Sequence, residues 1–176
     1  DTTYVNPNDP VVLGNVTLLD GVTLTLGNGG PALITVNSVT GTASGTSSNI
    51  TINSVAGVTF NSTIGTDIGT LTITNSGGTT FSGAVSATTV TLTNTTGTIA
   101  FNGVLTATTL NTATQAYNVG LNATSGTITN AVTFSNTGTL ALGASGGTLA
   151  FTGGITATAP STVTVNGTLT AAGTAV

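Results

Sequence analysis

Apolar residues alternate with threonine in short runs along this chain, as in Leu71-Thr72-Ile73-Thr74, Val90-Thr91-Leu92-Thr93 and Ile50-Thr51-Ile52-Asn53. A period of two puts one set of side chains on each side of a strand, so each run predicts a strand with an apolar inner face and a hydroxyl-bearing outer face. The runs stop at Asn75-Ser76-Gly77-Gly78 and at Ser82-Gly83, where Gly and Asn accept the positive φ that many turns require. Residues 71–89 therefore predict three strands, over 71–74, 79–81 and 84–88.

The runs recur. Ile50, Leu71 and Val90 each lead to an aromatic residue, Phe60, Phe81 and Phe101, and these three follow one another at nearly equal steps. The same step reaches Leu121, Leu142 and Val163. This predicts one core stack, Phe60, Phe81, Phe101, Leu121, Leu142 and Val163, with a repeat of about 20 residues. A second string follows the aromatic: Phe81-Ser-Gly-Ala-Val-Ser-Ala-Thr-Thr, Phe101-Asn-Gly-Val-Leu-Thr-Ala-Thr-Thr and Phe151-Thr-Gly-Gly-Ile-Thr-Ala-Thr-Ala. The third copy starts well short of one full step past Leu142, so the repeat shifts register or takes an insertion after residue 121.

Three strands and about 20 residues per repeat fit one coil of a parallel β-helix, or β-solenoid. A single coil cannot bury its apolar face. Coils stacked at about 4.8 Å pair every strand with its neighbours and enclose a continuous apolar column. An antiparallel β-sandwich is the alternative all-β architecture, since it also has short strands with frequent turns. It does not require similar strings at one fixed step. Residues 21–176 are read as the solenoid. Residues 1–20, which repeat least and contain Tyr4, Pro7 and Pro10, are read as an N-terminal cap, a connecting strand or an incomplete coil.

Composition strengthens the all-β reading and narrows the function. Thr is the commonest residue and 25 residues are Gly, while Glu, Lys, Arg and Met are absent; β-branched residues favour strands. Low complexity also suits disorder, but disordered chains combine low hydrophobicity with high net charge, and this chain is 38% hydrophobic with a net charge of −4. Its 176 residues contain no Lys, Arg, His or Cys, and the only carboxylates are Asp1, Asp9, Asp20 and Asp67. General acid–base catalysis draws on His, Glu, Lys or Cys as well as Asp and Tyr, so no enzyme is expected. Without Lys or Arg, neither nucleic acid nor an anionic membrane surface is an expected partner. No apolar run approaches the roughly 20 residues of a membrane span, and the chain reads as a mature product or an excised piece. Lacking every trypsin site, it suits an exposed setting.

Gln115-Ala-Tyr-Asn-Val-Gly-Leu, Thr133-Phe-Ser-Asn-Thr-Gly-Thr-Leu-Ala-Leu-Gly and Val163-Thr-Val-Asn-Gly-Thr-Leu resemble the Thr/Gly/Asn-rich strand repeats of large bacterial surface proteins. These are the filamentous-haemagglutinin-like and autotransporter-passenger proteins, and the resemblance covers residues 50–176. It implies a right-handed β-helix, export to the cell surface, and a role in adhesion, biofilm matrix or fibre formation.

Several side-chain groups are candidates for more specific roles. Thr-x-Thr pairs occur at Thr23/Thr25, Thr72/Thr74, Thr91/Thr93, Thr106/Thr108, Thr156/Thr158 and Thr162/Thr164. On a flat face such pairs would form a hydroxyl and methyl grid of the ice-binding kind. They keep no single phase in the repeat, so ordinary exposed strand threonine is the expectation. Sequons at Asn15, Asn49, Asn61, Asn94, Asn122 and Asn166 are formal N-glycosylation acceptors, several of them expected by chance in a chain this rich in Asn and Thr. The four Asp are too scattered for a Ca²⁺ site; no metal and no cofactor are expected, and Asp67 is read as a turn residue. Asn75, Asn94 and Asn102 are expected in amide ladders between coils, and Tyr4 and Tyr117 as partial core. The expected function is a structural component of an extracellular or cell-surface fibre or matrix, with other copies of itself or adjoining repeats of the same chain as partners. The alternative is an adhesin module that binds surface glycans through its solenoid faces.

Overall fold

The computed structural model describes residues 2–4, as backbone, together with 9–43 and 45–172. Every strand pairing among these residues is parallel, which rules out the antiparallel sandwich. The chain is a β-solenoid of about eight turns with coils of about 21 residues. Eighteen strands make one sheet, and Val132–Thr133 and Ile155–Thr156 make a second of two strands.

Each coil visits three faces in turn. The first holds residues 11–13 and 34–36, then Gly57–Phe60, Gly78–Phe81, Thr98–Phe101, Asn118–Leu121, Thr139–Leu142 and Thr162–Val165. The second runs through Ile64–Gly65 and residues 85–87 and 105–107 to Ser125–Ile128, Thr148–Phe151 and Thr168–Ala171. The third contains Thr23–Leu26, Ser48–Asn53, Ile68–Asn75 and residues 89–92 and 109–112. In most strands the apolar members of the alternating pattern point inward; Val12 is an exception on an outward position. Phe60, Phe81 and Phe101 are fully buried and stack with centroids 5.1 and 4.7 Å apart. Burying a side chain of this size contributes on the order of 1.5–3 kcal/mol.

Backbone register continues this column from Phe101 to Leu121 and then Leu142, as the repeat step predicts. The residue above Leu142 is Val165, however, while Val163 lies above Leu140. The step lengthens here because Gly143 to Gly147 enlarge the corner, with Gly143 and Gly146 at positive φ. Phe151 is also displaced. Its string resembles those after Phe81 and Phe101, yet Phe151 sits on the second face above Ile128. The shared string describes a corner, and this copy turns a different one.

Corners also move along the rod. Val11–Leu18 and Ile34–Gly41 run from the first face into the second without a break, whereas Val85–Leu92 and Leu105–Thr112 join the second and third. Val11–Leu18 pairs in parallel with Ile34–Gly41 over most of its length, so regular coil begins well before residue 21. Thr2–Tyr4 is likewise a strand, paired with residues 24–26. Asp1 and Pro7, and the side chain of Tyr4, lie outside the described residues.

Tyr117 is full core rather than partial. The inner column Leu26, Ile52, Ile73 and Leu92 meets a half-buried Thr112 in the next coil. The Tyr117 phenol, buried to 0% exposure, comes in at this level. Its hydroxyl donates to the Leu92 carbonyl and accepts from the Ala113 amide, both at 3.0 Å. Burial raises its pKa above 10.0, against the lowering effect of bonds to the Ala113 backbone and the Thr112 side chain. A raised pKa means that above pH 10 the unfolded chain loses a proton that the folded chain keeps, so stability falls with rising pH. Tyr117→Phe is expected to cost about 1 kcal/mol at neutral pH and to flatten that alkaline loss. Urea midpoints measured on either side of pH 10 check both effects.

Candidate functional site

The strand pattern places half of each coil's side chains outside, and register decides which of them become neighbours. On the third face Thr25, Thr51, Thr72 and Thr91 follow one another in consecutive coils and lead to Asn111. Two positions earlier on each strand, Thr23, Asn49, Thr70, Thr89 and Thr109 form a second column beside the first. The Thr-x-Thr strings themselves keep no single phase, as expected, since Thr23 stands in the column of Thr70 and Thr89 while Thr72 and Thr91 stand in that of Thr25; the columns are in phase through other pairs. The structural rows pair Thr70 with Thr72 and Thr89 with Thr91, across buried Leu71 and Val90. Of the other sequence pairs, Thr106/Thr108 borders the second face and Thr162/Thr164 the first.

Neither other face repeats this arrangement. On the first face, the outer column Thr35, Thr59 and Thr80 gives way to Ala100, Gly120 and Ala141. On the second, Thr17 and Thr40 are followed by Gly65, and Thr106 and Thr127 by Ala150.

A groove of about 290 Å³ lies where the second face meets the third. Ala87 and Ala107 lie along it, flanked by Ser86, Thr88, Thr106, Thr108 and Asp67. Asp67 and Thr66 both have positive φ, at 59° and 52°, so the chain turns here as expected. The Asp67 carboxylate, however, reaches across to the preceding coil, accepting from Ser47 Oγ at 2.8 Å, and its buried Oδ2 has no partner. Asp20 accepts from the Thr42 hydroxyl at another corner, and Asp9 is exposed. Among the described residues no three metal-ligating side chains cluster. A second cavity, between Phe101, Leu121, Gly126 and Phe151, measures about 10 Å³. That is room for one water at most, so it is a packing void rather than a ligand site.

The sequons fall on outward positions. Asn61, Asn94 and Asn166 are exposed, and Asn49 is half-buried with its Oδ1 accepting from the Thr70 amide at 3.0 Å. Asn15 accepts from Asn37 Nδ2 at 2.6 Å and from Ser38 Oγ at 2.9 Å. Asn122 donates to Asn102 Oδ1 at 3.0 Å, the amide rung expected of Asn102. Asn75 faces Asn53 in register. A polar seam that the sequence does not announce lines the corner between third and first faces: Ser54, Ser76, Thr95 and Asn136 are all buried. Ser54 donates to the Ala32 carbonyl at 2.8 Å and Ser76 bonds Thr95. Their only sequence signal is a polar residue a few positions after the third-face strand.

At the C-terminal end of the described rod, Thr162–Val165 and Thr168–Ala171 pair with the preceding coil only, among the described residues. Val163 and Val165 are 37% and 49% exposed, while Leu140 and Leu142, one coil below, are 1% exposed. The four Asp all precede residue 68, so no formal charge guards this edge. No family model, curated protein or solved structure matches the chain.

Proposed function

We propose that this chain is a structural segment of an extracellular or cell-surface fibre or matrix, of the filamentous-haemagglutinin-like or autotransporter-passenger kind. In this reading a further coil, from the same chain or another copy, covers the edge formed by Thr162–Val165 and Thr168–Ala171. The observation that carries it is that edge. Its N–H and C=O groups, without a further strand among the described residues, and its half-exposed valines are the template that natural sheets normally blunt with charge, proline or a cap. Contact between the end of one rod and the start of another is heterologous, and it propagates as a filament unless the geometry closes.

The purified chain is therefore expected to form rods longer than one solenoid in negative-stain micrographs and to sediment as a concentration-dependent series. Val165→Asp puts a charge where an added coil must bury the side chain, and it is expected to shift the distribution to single rods. Thr106→Asp, on an exposed outward position with a coil paired on either side, is the control and should leave the rods unchanged. A wild-type chain that stays a single rod at millimolar concentration would sink self-association.

A second reading, a glycan-binding adhesin, is favoured by the groove between Ala87 and Ala107. Its exposed hydroxyls, from Ser86, Thr88, Thr106 and Thr108, are the groups that hydrogen-bond a sugar. Binding of single rods to a glycan array, lost in Ala107→Tyr, would support it.

A further inference from the structure

The two adjacent columns on the third face present eight Thr and two Asn over five coils, in register across every row, with the irregularities of the ladder at Ser48/Asn49 and Ile52/Asn53 falling just outside the grid. We propose that this face binds ice. Neighbouring coils set a repeat of about 4.8 Å along the rod, and alternate residues of a strand set one of about 6.7 Å across it. The first spacing lies close to the a-axis repeat of hexagonal ice, and the second falls somewhat short of its c-axis repeat. Five rows extend the match over about 19 Å.

Three properties make the grid a template rather than ordinary strand surface. It is stiff: Thr has a restricted χ1, and the residues between the columns, among them Ile50, Leu71 and Val90, are 0% exposed and lock the backbone beneath. It is flush: nearly all its side chains are half-buried, and Asn49 is held down by its bond to the Thr70 amide. It is uncharged, so no ion imposes a competing hydration shell. Thr25, Thr51, Thr70, Thr72 and Thr89 then set a methyl beside a hydroxyl, and water caged over the methyls is anchored by the hydroxyls in lattice positions, while Thr91 and Thr109 accept from the Asn111 and Asn130 amides at 3.5 and 2.9 Å. A sugar polymer would be recognised through aromatic platforms, and this face has none. The inference is independent of the fibre reading, because single rods and filaments expose the same face.

The test is thermal hysteresis and inhibition of ice recrystallisation by the purified chain. Wild type is expected to show both, with hysteresis rising with concentration. Thr72→Tyr, in the middle row, is expected to bring hysteresis down to the buffer value, whereas Thr72→Val, which keeps the methyl and the size, should keep a measurable part. Thr59→Tyr, on the outer column of the first face, should keep all of it. Circular dichroism checks that each variant is folded. Absence of both activities in wild type at millimolar concentration overturns the proposal, as does equal loss in Thr72→Tyr and Thr59→Tyr. Binding to crystalline cellulose or chitin that is abolished by Thr72→Tyr, without ice activity, also overturns it and assigns the face to polysaccharide.

Discussion

Phe81→Ala is expected to lower stability by about 3–5 kcal/mol, the range for emptying a large buried aromatic site. Phe81 is the central ring of three, with Phe60 at 5.1 Å on one side and Phe101 at 4.7 Å on the other. Its removal deletes two stacking contacts, each contributing about 0.5–1.5 kcal/mol beyond area burial. The cavity cannot collapse by drawing the coils together, because their separation is fixed by the backbone ladder from Phe60 to Phe81 to Phe101. Each coil of a solenoid contacts only its neighbours, so the damage should be local as well as large. Urea denaturation gives the magnitude. Hydrogen exchange gives the pattern, with protection lost first in Gly57–Phe60, Gly78–Phe81 and Thr98–Phe101. A loss below about 1 kcal/mol, the centre of the range for point substitutions in general, or uniform deprotection along the rod, would contradict this account.

Gly103→Ala should be nearly as damaging for the opposite reason, since it adds an atom where two backbones meet. A Cβ at Gly103 would overlap the carbonyl group of Gly83 and lie 2.7 Å from the Ala84 amide nitrogen. Backbone has no rotamer into which it can retreat, so the coils must part locally. The bond from the Asn102 amide to the Phe81 carbonyl, 2.8 Å long, is then strained or broken. Overpacking of this kind costs on the order of 3 kcal/mol. Gly14→Ala is the matched control: nothing lies within 4 Å of its Cβ position, and the expected change is within about 0.5 kcal/mol. Melting midpoints of the two variants, compared with wild type, separate close approach of coils from the entropy that any Gly-to-Ala change removes. Equal midpoints would show that the corner yields more readily than the distances imply.

Much of the fold is legible in residues. Leu71-Thr-Ile-Thr and its relatives give strands and their inner faces because alternation has only one geometric reading in an extended chain. The step between Phe60, Phe81 and Phe101 gives the coil because those turns have almost equal length. Legibility ends where turns differ. Thr70 pairs with Thr89, whereas Thr23 pairs with Asn49, a distinctly longer step along the chain. The Thr columns on the third face are therefore hidden from counting along the sequence. The same inequality moves Val163 and Phe151 away from the places that counting gives them. Corners absorb insertions without disturbing the ladder, so equal distance in sequence is not equal height in the rod. Tyr117 reads as partial core because nothing local shows that a coil deficient in apolar residues will draw in a side chain from a corner.

The sequence by itself determined that this protein is all-β, that its coils are built from alternating Thr and aliphatic residues, and that almost no charge is available to it, since these follow from side-chain chemistry and a period of two. Only the tertiary structure decided which outward residues stand together: the two in-phase columns on the third face, the groove beside Asp67 and the bare valines of the last described coil. That decision belongs to backbone pairing between residues a full coil apart, and its register is set by the whole ladder rather than by any string within it.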